Sequence, residues 1–562
     1  MSRCLTVFIF VLSSISLLSS VASGQGRRFQ DTLLVEKFDA DGNGHLDRAE
    51  RDLAREAIPA RSERRRRGPA PVNTPRPEAS EDSLRLTPEQ VKKFEDLGLY
   101  DPNALRTFFF EIEGDDWHNE LTAFHGTDVE VPAVLTVDGK RIGDVGLSYR
   151  GNTSFDHPAK KSFGVSINAI DDDLRLDGYR TLNLLNANSD NSMMREVLFS
   201  NIAGDFMPAP KANFAIVVVN GVYLGVYGNV QQINKDFTNE NYGTKQGVRW
   251  KVPPDFSGGA ALTYHGDSVG NYRDRYELKT GSATDEDWAH LIELCRVLAE
   301  TPEDEIEAVL PKYLDIDEVL WFLALDNVFM DSDGYYSRGS DYYLYKAPDG
   351  IFHLLHYDNN ETFGGGRGGR GRGGPPPGGP GFERDFDREQ PTRRRGSDRP
   401  RPRSQQSPDE RRNAQDRVRD RNFEPPPGRP EGERGGPGGG RGGPGGGRGG
   451  NGGGPTQEPL ALINDLDTRP VIARILSVDA WRETYLERVR ELATTQLAWR
   501  TLKKRTDHWQ RQLRDALKVD PFFVEIEQFD EAIHGPTNSL KANTEQRRQF
   551  LLDHPSLNGT SG

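Results

Sequence analysis

Apolar residues in the middle of the chain fall into short strand-like runs that are divided by tight-turn dipeptides. The clearest runs read PAVLTVDGKRIGDVGLSYRG, FAIVVVNGVYLGVYGNV and DYYLYKAPDGIFHLLHYD. An Asp-Gly or Asn-Gly pair divides each run, at 138–139, 220–221 and 349–350. These dipeptides readily adopt the positive-φ backbone of two-residue turns, so each run is predicted to form an antiparallel hairpin.

Helical spacing interrupts these strands. The segment Asn191–Ala203 places Met194, Val197 and Ile202 on one face, and Asp315–Phe329 carries a similar apolar stripe. Antiparallel hairpins interrupted by helices indicate an α+β domain.

Residues 39–50, DADGNGHLDRAE, match the loop of an EF-hand, in which oxygen ligands recur at fixed positions. Gly44 stands at position 6, where the sharp turn requires glycine, and Leu46 at position 8 is the apolar residue through which paired loops contact each other. A single hand suits a structural site. The predicted Ca²⁺ ligands are Asp39, Asp41, Asn43, the backbone carbonyl of His45, Asp47 and Glu50.

The first residues are typical of a secretory signal peptide. Arg3 supplies the positive charge, and Leu5–Leu18 is an apolar run shorter than the roughly 20 residues that span a bilayer. Ala22 and Gly24 offer small side chains before a cut at residue 25. We therefore expect an exported protein with no transmembrane segment after cleavage. A lone Cys295 would remain, so no internal disulfide is predicted.

Composition divides the rest of the chain. The predicted segments are a signal peptide (1–24), an EF-hand (25–57), an Arg- and Pro-rich linker (58–86), a core (87–363), a Gly-, Arg- and Pro-rich insertion (364–456) and a helical C-terminal part (457–562). Linker and insertion hold too few apolar residues to offset chain entropy, so both are predicted to be disordered. The insertion contains 20 Arg and 12 Asp or Glu, whereas the whole chain has a net charge of −14. The remaining segments are thus acidic, which argues against a nucleic-acid-binding core.

Four blocks of the core, in chain order, resemble the CotH kinase family. They read VGLSYRGNTSFDHPAKKSFGVSI, LNLLNANSDNSMMREVLFSNI, VVVNGVYLGVYGNVQQINKDF and DSDGYYSRGSDYYLYKAPDGIFHLLHYDNNETFGG, and LYDPNALRTFFFEIEGDDW looks like the family's opening segment. The resemblance covers about residues 95–363 and extends more weakly into the C-terminal helices. It implies an atypical protein-kinase-like α+β fold with antiparallel hairpins and a helical C-terminal lobe, here preceded by a single EF-hand.

The resemblance also implies ATP, Mg²⁺ and an acidic site. Asp333 aligns with the catalytic aspartate that accepts the proton of the acceptor hydroxyl, although Asp331 is a competing candidate. Asp358 matches the metal-binding aspartate, and Asp341 and Asn360 are further candidate Mg²⁺ ligands.

Positively charged side chains are expected to contact the phosphates of ATP. Either Lys160 or Lys161 would pair with them, because only one of two neighbouring strand residues points inward. Arg150 is expected to assist, and Glu196 in the following helix is the candidate partner that holds the lysine.

The chain departs from the family pattern on the metal and phosphate side. Tyr357 stands in place of Trp before the metal-binding aspartate, Ser340 and Asp341 stand in place of His-Asn, and Gln231 replaces an expected Glu. Two hypotheses follow. The first is an exported kinase that phosphorylates Ser or Thr of a protein. The second is a catalytically inactive surface or matrix protein that uses the same fold to bind partners at the cell surface or in a periplasm.

Overall fold

The predicted hairpins are all formed, and their turns show why. Asp138 and Gly139 connect two strands with φ values of 50° and 82°, and Asn220 and Gly221 do the same with 49° and 76°. In the third hairpin Gly350 has φ 91°. Positive φ is unstrained for glycine and tolerated by Asn and Asp, so these dipeptides fix the turn positions.

The structure is a computed structural model that describes residues 32–58, 84–151, 154–156, 160–254, 259–280, 283–364, 469–523 and 525–558. The predicted signal peptide, most of the linker and the insertion lie outside these residues. Within them, no helix combines the length and apolar character needed to cross a membrane.

Seven strands close into a barrel in the order β1-β2-β3-β4-β5-β7-β6. Parallel pairing of β1 with β6 closes the barrel, and the other neighbouring strands are antiparallel. The strands are β1 (Arg106–Ile112), β2 (Val131–Val137), β3 (Lys140–Arg150), β4 (Ser162–Ser166), β5 (Thr181–Leu185), β6 (Ala212–Val219) and β7 (Val222–Gln231).

A second sheet has four strands in the order β11-β10-β8-β9. The central strand β10 pairs antiparallel with β8 and β11, so the third hairpin forms one side of this sheet. Its strands are β8 (Val248–Val252), β9 (Glu277–Leu278), β10 (Tyr342–Lys346) and β11 (Phe352–His356).

Sixteen α-helices occur in the described residues, together with short 3₁₀ turns at Ser154–Asp156, Leu310–Lys312 and Asn359–Glu361. The helices are α1 (Val35–Phe38), α2 (Arg48–Ala57), α3 (Trp117–Ala123), α4 (Arg195–Ala203), α5 (Lys235–Tyr242), α6 (Gly270–Arg273), α7 (Asp285–Glu300), α8 (Ile306–Val309), α9 (Ile316–Val328), α10 (Tyr335–Arg338), α11 (Pro470–Ser477), α12 (Asp479–Thr494), α13 (Trp499–Lys518), α14 (Ile526–His534), α15 (Leu540–Asp553) and α16 (Pro555–Asn558). The result is a mixed α+β fold with a helical C-terminal region.

Two large apolar cores organise most of these elements in the described residues. The interior of the barrel is filled by side chains such as Phe108, Leu135 and Leu184, each fully buried. A larger core joins the second sheet to the helices on both sides of the insertion. There α12 packs against α9, and Trp509 of α13 meets Phe214 of β6 with ring centroids 5.5 Å apart. Residues before and after the insertion therefore share one core.

A buried ion pair also ties the C-terminal region to the barrel. The Lys160 ammonium donates to Asp520 Oδ2 at 2.8 Å and to the Val226 carbonyl at 2.6 Å. Asp520 Oδ2 accepts a further bond from the Val226 N–H at 2.9 Å. Both side chains are almost completely buried, and removing one partner of such a pair leaves an uncompensated charge.

Close approach of Asp520 explains Gly225, which has φ 99° at the bulge of β7. A Cβ at this position would lie 2.0 Å from Asp520 Oδ2. Gly225→Ala is therefore expected to destabilise the fold by about 3 kcal/mol or more, because it displaces half of a buried ion pair.

The matched control is Gly243→Ala. Gly243 also has positive φ, at 69°, but a Cβ there would meet nothing within 4 Å. The control should lose only about 1 kcal/mol, the usual penalty for left-handed backbone. Urea unfolding measures both variants, and equal losses would show that the contact with Asp520 is unimportant.

Candidate functional site

Two loops bring acidic side chains together at the end of the second sheet. One loop follows α9, and the other follows β11. Ser332 Oγ donates to Glu361 Oε2 at 2.6 Å, and the Phe363 N–H donates to the Phe329 carbonyl at 2.6 Å. Arg338 forms an ion pair with Asp333 and lies 3.9 Å from Glu361. The structure thus places the segments that contain Asp333 and Asp358 side by side.

The backbone is unusual where the acidic groups converge. Asp341 and Asp358 have φ values of 51° and 60°, both in the left-handed region. Each lies at a strand boundary, directly before β10 and two residues after β11. Non-glycine residues keep this conformation only where surrounding contacts impose it, and such positions concentrate at functional sites.

We refer to Glu196, Asp331, Asp341, Asp358 and Asn359 as the carboxylate cluster. Both carboxylate oxygens of Asp341 are buried without a hydrogen-bond partner, and the same is true of the amide oxygen of Asn359. Glu196 Oε2 is also buried and unpartnered. Unpaired buried polar atoms are costly, so their concentration here indicates a site for a polar ligand or a cation.

Charge and burial shift the ionisation of these groups in one direction. Burial, with the charge of Asp358 second, raises the pKa of Glu196 to about 8. The same two causes raise the pKa of Asp341 well above its ordinary value. Burial and the nearby Asp326 do the same for Asp331. A cation bound here would favour the ionised forms.

Asp358 differs from its neighbours because its side chain is exposed to solvent. Loss of hydration among the surrounding protein groups raises its pKa, while the charges of Lys251 and Arg150 act in the opposite direction. The cluster therefore opens to solvent at Asp358, next to two cationic side chains.

Lys251 and Arg150 meet at Tyr357. The Arg150 guanidinium donates to the Tyr357 hydroxyl at 2.9 Å, and the Lys251 ammonium donates to it at 3.2 Å. Lys251 also lies 4.4 Å from the centroid of the Tyr357 ring. Sequence reasoning singled out Arg150 and missed Lys251, because a lysine in the strand VRWKV looks like an ordinary solvated position.

The structure decides which of the two neighbouring lysines points inward. Lys160 is buried and paired with Asp520, whereas the partly exposed Lys161 donates to the Phe155 carbonyl and lies over the Phe155 ring. Glu196 was expected to hold the lysine, but it joins the carboxylate cluster instead. Sequence reasoning missed Asp520, which lies 360 residues from Lys160.

Asp331 and Asp333 have different surroundings. Asp331 is buried, and its Oδ1 accepts hydrogen bonds from the N–H groups of Asp333 and Gly334, both at 3.1 Å. Asp333 is only partly buried and pairs with Arg338. Asp331 thus shapes the turn, and Asp333 presents its carboxylate nearer to solvent.

The cluster fits Mg²⁺. This ion usually takes one or two protein carboxylates together with substrate phosphates and water. Asp341 and Asp358 could supply the carboxylates, and the Asn359 amide could supply its unpartnered oxygen. Asn359 is buried, whereas the predicted ligand Asn360 beside it is partly exposed. Mg²⁺ held here would neutralise phosphate charge during transfer.

The predicted calcium loop has a closed arrangement. Oxygens of Asp39, Asp41 and Glu50 lie within 4.8 Å of one another. Asp39 accepts hydrogen bonds from the N–H groups of Gly42, Asn43 and Gly44. Asp47 caps α2 reciprocally with Glu50, and His45 donates its N–H to Asn43 Oδ1 at 2.9 Å. The loop therefore gathers its acidic residues around one point.

A third group, Asp315, Glu318 and His353, has ligand-type atoms equally close together. Here Glu318 accepts hydrogen bonds from Tyr242 at 2.7 Å and is 2.8 Å from His353 Nδ1. Asp315 caps α9 through the Glu318 N–H at 3.0 Å. These mutual hydrogen bonds account for the group as a structural link between α5, α9 and β11.

Comparisons with known proteins identify a related family. Residues 147–405 match the profile of the family described as CotH kinase protein. Over these residues the chain is similar to the CotH kinase family. It is homologous to the inner spore coat protein H of Bacillus subtilis (strain 168), with 26% identity over 280 residues, which is 49% of this chain and 71% of the relative. The CotH match begins inside β3 and contains Arg150, both lysines and the whole carboxylate cluster.

The buried Asp326 is expected to make the stability of the fold depend on pH. Asp326 Oδ2 accepts a hydrogen bond from the Tyr336 N–H at 2.6 Å, while the buried Oδ1 has no partner. Burial raises the pKa of Asp326 from 3.8 to about 7. The folded state therefore favours the neutral acid. The contribution of the neutral Asp326 carboxyl group to the stability of the fold is fully present below pH 3.8 and is lost as the pH rises through about 7.

Asp326→Asn keeps an acceptor for Tyr336 and removes the ionisation. The variant is expected to be more stable than the wild type at pH 8.5, by roughly 1 to 3 kcal/mol, with a much smaller difference at pH 5. Urea unfolding in EDTA at the two pH values measures this. The control Asp349→Asn, in an exposed turn, should keep the wild-type pH dependence. An equal gain for Asp326→Asn at both pH values would contradict the assignment.

Proposed function

We propose that this protein is an exported CotH-type kinase that transfers the γ-phosphate of Mg²⁺-bound ATP to a Ser or Thr hydroxyl of a protein. The observation that carries the proposal is the buried, unpartnered oxygens of Asp341 and Asn359 beside Asp358 and two cations. Phosphoryl transfer depends on positioning and on charge neutralisation, and this arrangement supplies groups for both.

Each group has a distinct role in the proposal. Asp341 and Asp358 hold the metal, and Lys251 and Arg150 face the phosphates. Asp333 takes the proton from the acceptor hydroxyl. The hydroxyl oxygen bonds to the γ-phosphorus of ATP, while the bond between this phosphorus and the leaving oxygen of ADP breaks. The ion pair between Asp333 and Arg338 must loosen for this step. Lys160 acts at a distance, because its pairing with Asp520 fixes β7 and the C-terminal region.

A non-catalytic role is the alternative, and the same ion pair favours it. Arg338 neutralises the base, and Asp341 stands where the family usually has Asn. In that case the protein would be a surface or matrix binding protein on the CotH fold. Binding of nucleotide without transfer, or no binding at all, would indicate this role.

Substitution of the two aspartates separates binding from transfer. Asp358→Asn is expected to weaken Mg²⁺-dependent ATP binding and to reduce transfer by about a thousandfold, because a metal ligand is lost. Asp333→Asn should reduce transfer similarly while ATP binding stays near wild type, because only the base is removed. Transfer of labelled phosphate and a nucleotide-dependent thermal shift measure the two effects.

Asp331→Asn is the comparison for Asp333→Asn, because Asn keeps an oxygen that can accept the two N–H bonds of the turn. It should retain most of the transfer activity. If Asp331→Asn abolishes transfer and Asp333→Asn does not, the roles of the two aspartates are reversed. Unchanged transfer in Asp358→Asn would place the site elsewhere.

We also propose that loop 39–50 binds Ca²⁺ as a structural site of the exported protein. The support is the fixed spacing of its ligands and the closeness of Asp39, Asp41 and Glu50. Ca²⁺ at 100 times its dissociation constant should stabilise the protein by about 2.7 kcal/mol.

Thermal unfolding with Ca²⁺ and with EGTA tests this loop. The wild type should unfold several degrees higher in Ca²⁺, and Asp39→Asn should lose most of that increase. Asp52→Asn is the control, because this exposed carboxylate lies on α2 outside the ligand set. A calcium effect that persists in Asp39→Asn would exclude the loop as its source.

A further inference from the structure

The helix–loop–helix segment is built into the barrel. The Thr32 N–H donates to the Gly126 carbonyl at 2.9 Å, and the Asp128 N–H donates to the Thr32 carbonyl at 3.2 Å. Asp128 Oδ1 then accepts the Leu34 N–H at 2.6 Å, at the start of α1. Leu46, the loop residue that would contact a second hand, is 1% exposed and belongs to the barrel core. The barrel therefore occupies the place of the partner hand.

Helix α2 of the same segment contacts helix α3. Arg51 of α2 donates to Glu120 of α3 at 2.8 Å, and both side chains are almost completely buried. Arg51 also donates to the Leu46 carbonyl at 2.9 Å, inside the calcium loop. Arg55 adds an ion pair to Asp116 at 2.8 Å, at the start of α3. These contacts connect the loop and α2 directly to α3.

Helix α3 and the residues after it also contact the C-terminal end of β3: His118 lies on α3, and His125 lies two residues after Ala123, where the helix ends. His118 Nδ1 lies 2.7 Å from the Tyr149 hydroxyl, and His125 Nε2 lies 2.8 Å from the Gly151 carbonyl. The His125 ring also stacks on Phe155, with centroids 3.6 Å apart. Tyr149 and Gly151 flank Arg150, whose guanidinium reaches Tyr357 beside the carboxylate cluster. Helix α3 and the residues directly after it therefore connect the calcium loop to the residues that flank Arg150.

We propose that Ca²⁺ in loop 39–50 strengthens nucleotide binding at the carboxylate cluster, with α3 as the coupling element and His125 as a positioning residue for Arg150. This inference rests on the proposed calcium and nucleotide sites. Occupancy of the loop orders the turn around Leu46 and Arg51. Their fixed contacts hold α3 against the barrel, and α3 holds the Gly151 turn. Arg150 is then kept in the orientation that faces the phosphates.

Linkage makes the proposal quantitative. If Ca²⁺ tightens nucleotide binding by a given factor, nucleotide must tighten Ca²⁺ binding by the same factor. Couplings between sites in one protein usually fall at about fivefold or more. We expect the dissociation constant of Mg²⁺-bound adenylyl imidodiphosphate to decrease about fivefold when micromolar Ca²⁺ replaces EGTA, at constant millimolar Mg²⁺. Isothermal titration of the full exported chain measures both affinities.

Three variants locate the coupling. Asp39→Asn removes a Ca²⁺ ligand from the loop. Any effect of Ca²⁺ on nucleotide binding that remains in this variant comes from Ca²⁺ at the carboxylate cluster. His125→Phe keeps an aromatic ring for stacking on Phe155 but loses the contact with the Gly151 carbonyl. It should bind Ca²⁺ as the wild type does, while nucleotide binding becomes independent of Ca²⁺. His290→Phe on α7 is the matched control and should keep the full coupling.

The outcomes are distinct. Equal nucleotide affinity with and without Ca²⁺ in a wild type that binds both ligands overturns the coupling and leaves both proposed sites intact. Coupling that survives in His125→Phe overturns the route through α3. If no nucleotide binds, the proposed kinase function fails, and amide exchange at Tyr149–Gly151 becomes the deciding measurement. Ca²⁺ should slow this exchange in the wild type and not in Asp39→Asn. Unchanged exchange, or no Ca²⁺ binding, overturns the inference.

Discussion

Burial of carboxyl groups beside one another is the constraint around which the candidate site is built. Asp341 and Glu196 are buried, and this burial, followed by the charge of the nearby Asp358, raises the pKa of each. Such an arrangement does not by itself stabilise the fold, because apolar side chains of similar size at these positions would pack without the electrostatic penalty. The cluster is understandable if a cation completes it. Lys251 and Arg150 supply part of the compensation at the solvent side, and a divalent ion would supply the remainder.

The C-terminal region is needed to keep this strained site in place. Asp520 secures the inner side of the barrel through Lys160, and the Asn543 side chain donates to the Phe363 carbonyl at 3.0 Å, beside the acidic loop. The fully buried Arg547 donates to the Asn327 side chain at 2.8 Å, at the end of α9. These three contacts explain why the helices after the insertion belong to the same folding unit as the strands before it. The entropic cost of closing a loop grows only slowly with its length. A few such contacts are therefore sufficient to keep the parts before and after the long insertion together.

Local chemistry decides how much could be predicted from sequence. The hairpin turns are encoded by adjacent Asp-Gly and Asn-Gly residues, and the calcium loop is encoded by a fixed spacing within twelve residues. Asp358 was identifiable because it follows a strand and fits a family motif. The parallel pairing that closes the barrel, between β1 and β6, was not identifiable, because nothing in either strand specifies its neighbour. The same reason applies to the pairing of Lys160 with Asp520.

Glu196 shows the limit of reasoning by role. A kinase lysine is commonly held by a glutamate on the next helix, so Glu196 was assigned to Lys160 or Lys161. In this chain Asp520 provides that carboxylate from the other side of the insertion, which leaves Glu196 free to approach Asp358 and Asn359. The two assignments are linked, because a lysine needs only one buried counter-ion. A carboxyl group displaced from that role is stable in the interior only as a neutral acid or as a neighbour of a metal ion. Burial, followed by the charge of Asp358, raises the pKa of Glu196 to about 8, as expected for an interior carboxyl group without a cationic partner.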